Sequence, residues 1–189
     1  MKNLSLLVVA GCLFFATMSV NAQTQFKPFR VDLGLGWAVP DNGGGLVFNI
    51  EPKYAVIPQL SIGLKFEADA IVKDLKVDSS YEIAEGTAQG IFSILATADY
   101  HLMQRKFRPF VGGGIGVYSI AAGNVSTTST VTGDVEAVIN FGPMLRAGFD
   151  VGHFRLAVAY NFAGNDNLNN KSDFFSITIG AFIGGGRKK

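Results

Sequence analysis

From Arg30 to the C-terminus the chain reads as eight stretches in which apolar and polar residues alternate, joined by connectors that are by turns short and long. Period-two alternation marks strands with one apolar face. Eight such strands in succession can close on themselves, which removes the unpaired edges of an open sheet. An up-and-down barrel carries tight turns at one end and longer loops at the other, as the connector lengths require here. The expected fold class is all-β, an eight-stranded antiparallel up-and-down barrel.

The first strand, Arg30 to Val39, sets Val31, Leu33, Leu35, Trp37 and Val39 against Arg30, Asp32, Gly34, Gly36 and Ala38. Pro40-Asp41-Asn42-Gly43-Gly44 is a turn rich in residues that tolerate positive φ. The second strand places Leu46, Phe48, Ile50 and Tyr54 opposite Val47, Asn49, Glu51 and Lys53. Pro52 lies in its apolar row, removes a ladder donor, and predicts a bulge or the strand end. After Val56-Ile57-Pro58 the third strand, Leu60 to Ala70, leads into a polar stretch, Ile71 to Gln89, expected as a long loop. The fourth strand alternates Phe92, Ile94, Ala96, Ala98, Tyr100 and Leu102 with Ser93, Leu95, Thr97, Asp99 and His101. Strand five covers Phe107 to Ala121, a Ser/Thr-rich loop spans Ala122 to Asp134, and strand six runs from Val135 to Asp150. Gly152-His153 is a two-residue turn, the favoured hairpin length. Strand seven, Phe154 to Phe162, an Asn-rich loop, Ala163 to Ser172, and a last strand, Phe175 to Ile183, complete the series, with Gly184 to Lys189 expected as a flexible tail.

Alternation alone fits both a membrane barrel and a water-soluble, lipocalin-like barrel turned inside out. Residue size and charge favour the membrane form. The polar face is crowded with Gly34, Gly36, Gly63, Gly112, Gly114, Gly116, Gly142, Gly148 and Gly180, which suit a narrow interior more than a wetted exterior. The apolar face is almost free of charge, as lipid requires, because Lys or Arg at mid-membrane costs ~2–4 kcal/mol. Its aromatics gather near strand ends, with Tyr54, Tyr100, Phe149 and Phe154 toward the short turns and Trp37, Phe92, Tyr160, Phe162 and Phe175 toward the long loops. Two interfacial girdles are the expected result. Strand parity puts both termini at the short-turn end, which is the periplasmic end of such barrels.

The N-terminus has one cation, Lys2, then an apolar run from Leu4 to Val20 and Val20-Asn21-Ala22 ahead of Gln23, the pattern of a cleaved secretory signal. Residues 1–22 are read as that signal and 23–189 as a single barrel domain. An uncleaved anchor and a lipoprotein box at Val9-Ala10-Gly11-Cys12 are the competing readings; the apolar Leu13-Phe14-Phe15 after Cys12 disfavours the second. Loss of the signal leaves no cysteine, hence no disulfide or thiolate site. It also removes one of the 16 basic residues against 15 acidic, so the mature chain is neutral. A neutral chain without a clustered cationic excess gives no footprint for nucleic acid.

The signal, the eight strands, Glu51-Pro52-Lys53-Tyr54, Arg108-Pro109-Phe110-Val111-Gly112 with its Gly-rich continuation, and the apolar final strand resemble the small outer-membrane β-barrel proteins of the OmpA/OmpX and opacity types. The resemblance covers the whole mature chain and is architectural. It implies residence in the outer membrane of a Gram-negative cell, contact with outer-membrane lipids, and handling by the outer-membrane insertion machinery. The chain departs from the common pattern by lacking a terminal aromatic, so the strand ending at Ile183 would have to serve as the assembly signal.

The inward face carries Arg30, Lys53, Lys65, Arg108, Arg146 and Arg155 alongside Asp32, Glu51, Glu67, Asp69, Asp99, Glu136 and Asp150. Opposite charges in a narrow lumen should pair, because an unpaired buried charge is costly. The first expectation is a salt-bridge network that plugs the barrel; the second is a narrow pore for small solutes or ions in which the pairs exchange partners. Catalysis is not expected, since the two histidines, His101 and His153, both fall toward the short turns, away from the leaflet that holds lipid A. No cofactor or metal is expected. The run Gly164 to Asn170 lacks the spacing of an EF-hand loop, and Gly112 to Gly116 has no following helix to form a phosphate site. The long loops are the expected recognition surface, for an extracellular partner that the chain does not name.

Overall fold

The computed structural model describes residues 27–77, 83–125, 137–166, 168 and 170–185. Eight antiparallel strands follow one another around a closed barrel: β1 (Phe29–Pro40), β2 (Gly43–Ile57), β3 (Leu60–Val77), β4 (Ile83–His101), β5 (Phe107–Val125), β6 (Val138–Val151), β7 (Phe154–Asn161) and β8 (Phe174–Gly184). β1 closes the sheet on β8, from Arg30↔Gly184 to Pro40↔Phe174. The expected signal segment and the tail from Gly186 lie outside the described residues.

The alternation sorts the residues as expected. Leu35, Trp37, Phe48, Leu64, Phe92, Ile115, Phe141, Leu145, Phe175 and Ile179 point outward and are exposed, whereas Arg30, Asp32, Glu51, Lys53, Asp99 and Arg146 point inward and are buried. In a water-soluble barrel this would be inverted. An apolar outer belt with no water-facing role is stable only against hydrocarbon, and closure leaves no backbone edge to satisfy there. Tyr160 packs edge-on against both Phe162 and Phe175, a small aromatic cluster at the end opposite the termini.

The structure differs from the sequence reading mainly at the strand ends. The stretch expected as a loop from Ile71 to Gln89 is largely hairpin, with Ile71↔Gln89, Val72↔Ala88 and Lys73↔Thr87 continuing the β3–β4 ladder. β5 likewise continues past Ala121 to Val125 against β4. Beyond the lipid belt the outer face has no need to be apolar, so pairing continues where the sequence alternation fades. β6 begins at Val138, and Val135 and Glu136 lie outside the described residues. Pro52 does not end β2: it pairs with Val31, and the register shift comes later, between Ala55 and Ile57. Gly184, expected in the tail, is the last residue of β8, and the chain leaves the sheet there because Gly184 and Gly185 adopt φ of 85° and 70°.

Candidate functional site

The lumen is filled in three layers. Nearest the short-turn end is a charge network built from β1, β2, β4, β6 and β7. Asp99 of β4 sits at its centre and accepts from Lys53 Nζ at 2.7 Å, Arg146 Nε at 2.7 Å and Arg155 Nη2 at 2.7 Å. Glu51 takes Arg146 as a fork at 2.7 and 2.9 Å, together with Lys53 at 3.1 Å and the Thr97 hydroxyl. Asp32 bonds Arg30 at 3.0 Å and Lys53 at 2.8 Å. Asp150 bonds Arg30 at 2.7 Å, Arg155 at 3.1 Å and His101 Nε2 at 3.0 Å. Four carboxylates thus meet four cations, and each carboxylate touches at least two, which is how charges this deeply buried are sustained.

Rings and glycines complete this layer. Arg155 lies over the Phe110 ring at 3.7 Å and Arg30 over Phe182 at 4.4 Å, cation–π contacts that cover the guanidinium faces. Gly112 is what lets Asp99 sit where it does, because a Cβ there would run into the Asp99 carboxylate. A lumenal void of about 20 Å³ lies between Asp32, Asn49, Glu51, Lys65, Arg146 and Arg155, room for about one water.

Farther toward the long connectors, Lys65 bonds Glu67 at 2.5 Å. Asp69, two residues on along the same face, is buried with neither carboxylate oxygen hydrogen-bonded among the described residues. Around it begins the second layer, an apolar plug that includes Val47, Ile71, Ile91, Leu95, Tyr118, Ile120, Met144 and Phe174. The sequence reading missed this plug. Its signal was present as inward positions that break the polar row, such as Val47 in β2 and Leu95 in β4, but alternation weights a row as a whole.

The third layer is the β7–β8 connector, expected as a solvated loop and found folded over the end of the lumen. Gln89 Nε2 donates to Asp166 at 3.2 Å and to the Ser172 hydroxyl at 2.7 Å, and Lys73 Nζ donates to the Lys171 carbonyl at 2.8 Å. Asp166 also accepts the backbone N–H groups of Leu168 and Asn170, an Asx-type turn that folds the segment on itself. Asn140 Nδ2 bonds the carbonyls of Ala163 and Asn165. Ala163, Asp166 and Ser172 are buried as a result. On the outer side of this cap the Asp173 carboxylate hydrogen-bonds Lys171 and holds its ammonium above the ordinary lysine value.

Of the charged residues singled out in the sequence, Arg30, Asp32, Glu51, Lys53, Asp99, Arg146, Asp150 and Arg155 share one network, Lys65 and Glu67 form a separate pair, and Asp69 stands alone. Arg108 is inward but sits at the short-turn mouth, where it donates to the Pro58 carbonyl at 3.2 Å and not to a carboxylate. Glu136 lies outside the described residues. His101 joins the network through Asp150, which the sequence did not reveal; its ring is buried against Phe110. His153 Nδ1 meets the Phe182 carbonyl at 3.0 Å.

No protein-family model and no curated protein matches the sequence. Solved structures do match in fold. Neisserial surface protein A superposes with a TM-score of 0.58 at 15% identity, over 84% of this chain and 96% of that one. Ail, the attachment invasion locus protein of Yersinia pestis, in complex with the heparin analogue sucrose octasulfate, superposes with a TM-score of 0.51 at 12% identity, over 85% and 100%. What is shared at these identities is the architecture, and the chain has the eight-stranded antiparallel barrel fold of the small outer-membrane proteins.

Proposed function

We propose that this protein is a non-enzymatic integral barrel of the outer membrane, closed along its axis, with a structural or surface-interaction role and both termini on the periplasmic side. The observation that carries the reading is the three-layer filling of the lumen. Charge network, apolar plug and folded connector follow one another along the axis, and the void among the charged groups is about 20 Å³, room for about one water. A conducting path needs a continuous wetted route, which such a stack interrupts. Outer-membrane residence is supported by the apolar outer belt and by the location of the two fold relatives. The enzymatic alternative finds little support, since His101 is fully buried and engaged with Asp150 and a general base must reach the bond it serves.

The recognition surface would be formed by the long connectors. Ail was crystallised with a polyanion, whereas the connectors here are acidic, with Asp41, Asp78, Glu82, Asp134 and Asp173 among them. A cationic partner or divalent ions suit that end better than a sulfated sugar. Planar-bilayer recording of the refolded full chain tests the closed lumen. Silence is expected from the wild type; reproducible unitary conductance, abolished by Glu67→Gln or Arg146→Gln, would overturn it in favour of a narrow pore. Heat-modifiable migration in detergent gels is expected as well, and its absence together with partition into the aqueous phase would favour a soluble barrel.

A further inference from the structure

At the short-turn mouth, below the charge network, a cavity of about 260 Å³ is lined by Lys27, Arg30, Ser61, Arg108, His153 and the backbone of Gly184 and Gly185, among others, with no acidic residue in its wall. Arg30 is already committed to Asp32 and Asp150. Arg108 is different. Among the described residues its guanidinium has no carboxylate partner, it donates at 3.2 Å to the Pro58 backbone carbonyl, and its Nε is buried without an acceptor. The carboxylate that faces it, Asp150, is shared by Arg30, Arg155 and His101. Cations are thus left over where anions have been used up. The β4–β5 turn at this end adds two further cations, Arg105 and Lys106, so the field outside the mouth draws anions toward it.

We infer that this mouth cavity is a binding site for a phosphate-bearing small molecule or headgroup, with Arg108 as the principal anchor and Lys27, the Ser61 hydroxyl and His153 as further donors. Arginine offers a planar fork of donors matched to phosphate oxygens, which a lone backbone carbonyl leaves mostly unused. The volume of about 260 Å³ falls just below the ~300–1,000 Å³ range of drug-sized sites but exceeds what a bare ion needs, so the anionic group would arrive attached to a small polar body. Two sources share this chemistry: a soluble phosphomonoester and the headgroup of an anionic phospholipid.

The test uses the full chain, refolded in a neutral detergent and checked by heat-modifiable migration. Sodium glycerol 1-phosphate is titrated at constant ionic strength while phosphorus NMR line width and heat of binding are read. Phosphatidylcholine vesicles with and without phosphatidylglycerol provide the lipid arm. Saturable binding is expected in at least one arm, weakened tenfold or more by Arg108→Gln, partly restored in Arg108→Lys, and unchanged by Arg105→Gln, which removes an exposed charge from the same end without touching the cavity. Binding only to the phosphatidylglycerol vesicles identifies the headgroup as ligand, and binding of glycerol phosphate identifies the soluble class. No saturable binding in either arm, or equal losses in Arg108→Gln and Arg105→Gln, overturns the proposal, the latter because a diffuse field would then account for everything. Should Arg108→Gln fail to fold, Ser61→Ala takes its place, with a smaller loss expected at unchanged net charge.

Discussion

At the scale of single residues, the lumen separates charges that are shared from one that is not. Arg146 bridges Glu51 and Asp99, so Arg146→Ala leaves two carboxylates short of a partner in a dry interior. The expected cost is about 3–5 kcal/mol, read as a lower urea midpoint for loss of heat-modifiable migration. Asp69 is the opposite case. Among the described residues its buried carboxylate has no hydrogen-bond partner, so Asp69→Asn removes an uncompensated group while nearly conserving shape, and the refolded variant is expected to unfold at a higher urea concentration than the wild type. A lower midpoint would mean that Asp69 has a partner that these contacts do not reveal. Both residues were legible as inward-facing in the sequence, since a strand's faces follow from parity. Which of them would be paired was not legible, because Arg146 and Glu51 lie 95 positions apart and meet only across the closed barrel.

At the scale of elements, β3 and β4 form a long hairpin whose outer end holds the cap. Gln89 at the β4 side of that hairpin ties Asp166 and Ser172 of the β7–β8 connector into the lumen. Gln89→Ala should therefore release the connector without unfolding the barrel: faster amide exchange at Ser172 and Asp166 is expected, with exchange in β1 and β2 unchanged. Phe174, at the start of β8, is with Tyr118 a buried ring of the apolar plug beneath this cap. Phe174→Ala should cost about 3–5 kcal/mol through the cavity it leaves. The hairpin extension and the folded connector were the elements least legible in the sequence. Beyond the lipid belt, strand pairing is held by backbone hydrogen bonds that leave no alternating signature, and a polar connector looks solvated until something buries it.

At the scale of the whole molecule, a near-neutral composition of 16 basic and 15 acidic residues conceals an axial separation of charge. Among the described residues the long-connector end carries Asp41, Asp166 and Asp173 against Lys73 and Lys171, while the short-turn end carries Lys27, Arg105, Lys106 and Arg108. Counting charge over the chain cannot show this, because the fold alone decides which connectors share an end. The belt between the two ends sets the membrane position. Leu35 is outward near the middle of β1, paired with Phe48 and Ile179, so Leu35→Arg should destabilise the inserted barrel by about 2–4 kcal/mol in lipid vesicles and much less in detergent micelles.

The sequence by itself determined the strand count, the antiparallel order, the face that meets lipid and the inward direction of most of the charged residues now found in the lumen. Those properties follow from a period of two and from turn chemistry, both of which act over a few neighbouring residues. Only the tertiary structure decided how the lumen is filled: which four carboxylates share four cations, that Asp69 is left out, that apolar side chains and a folded connector close the far end, and that Arg108 faces an open mouth. Each of these depends on where strands distant in sequence stand once the barrel has closed, with Gly112 making room for Asp99 and β1 meeting β8, and closure is a property of the whole sheet that no local stretch encodes.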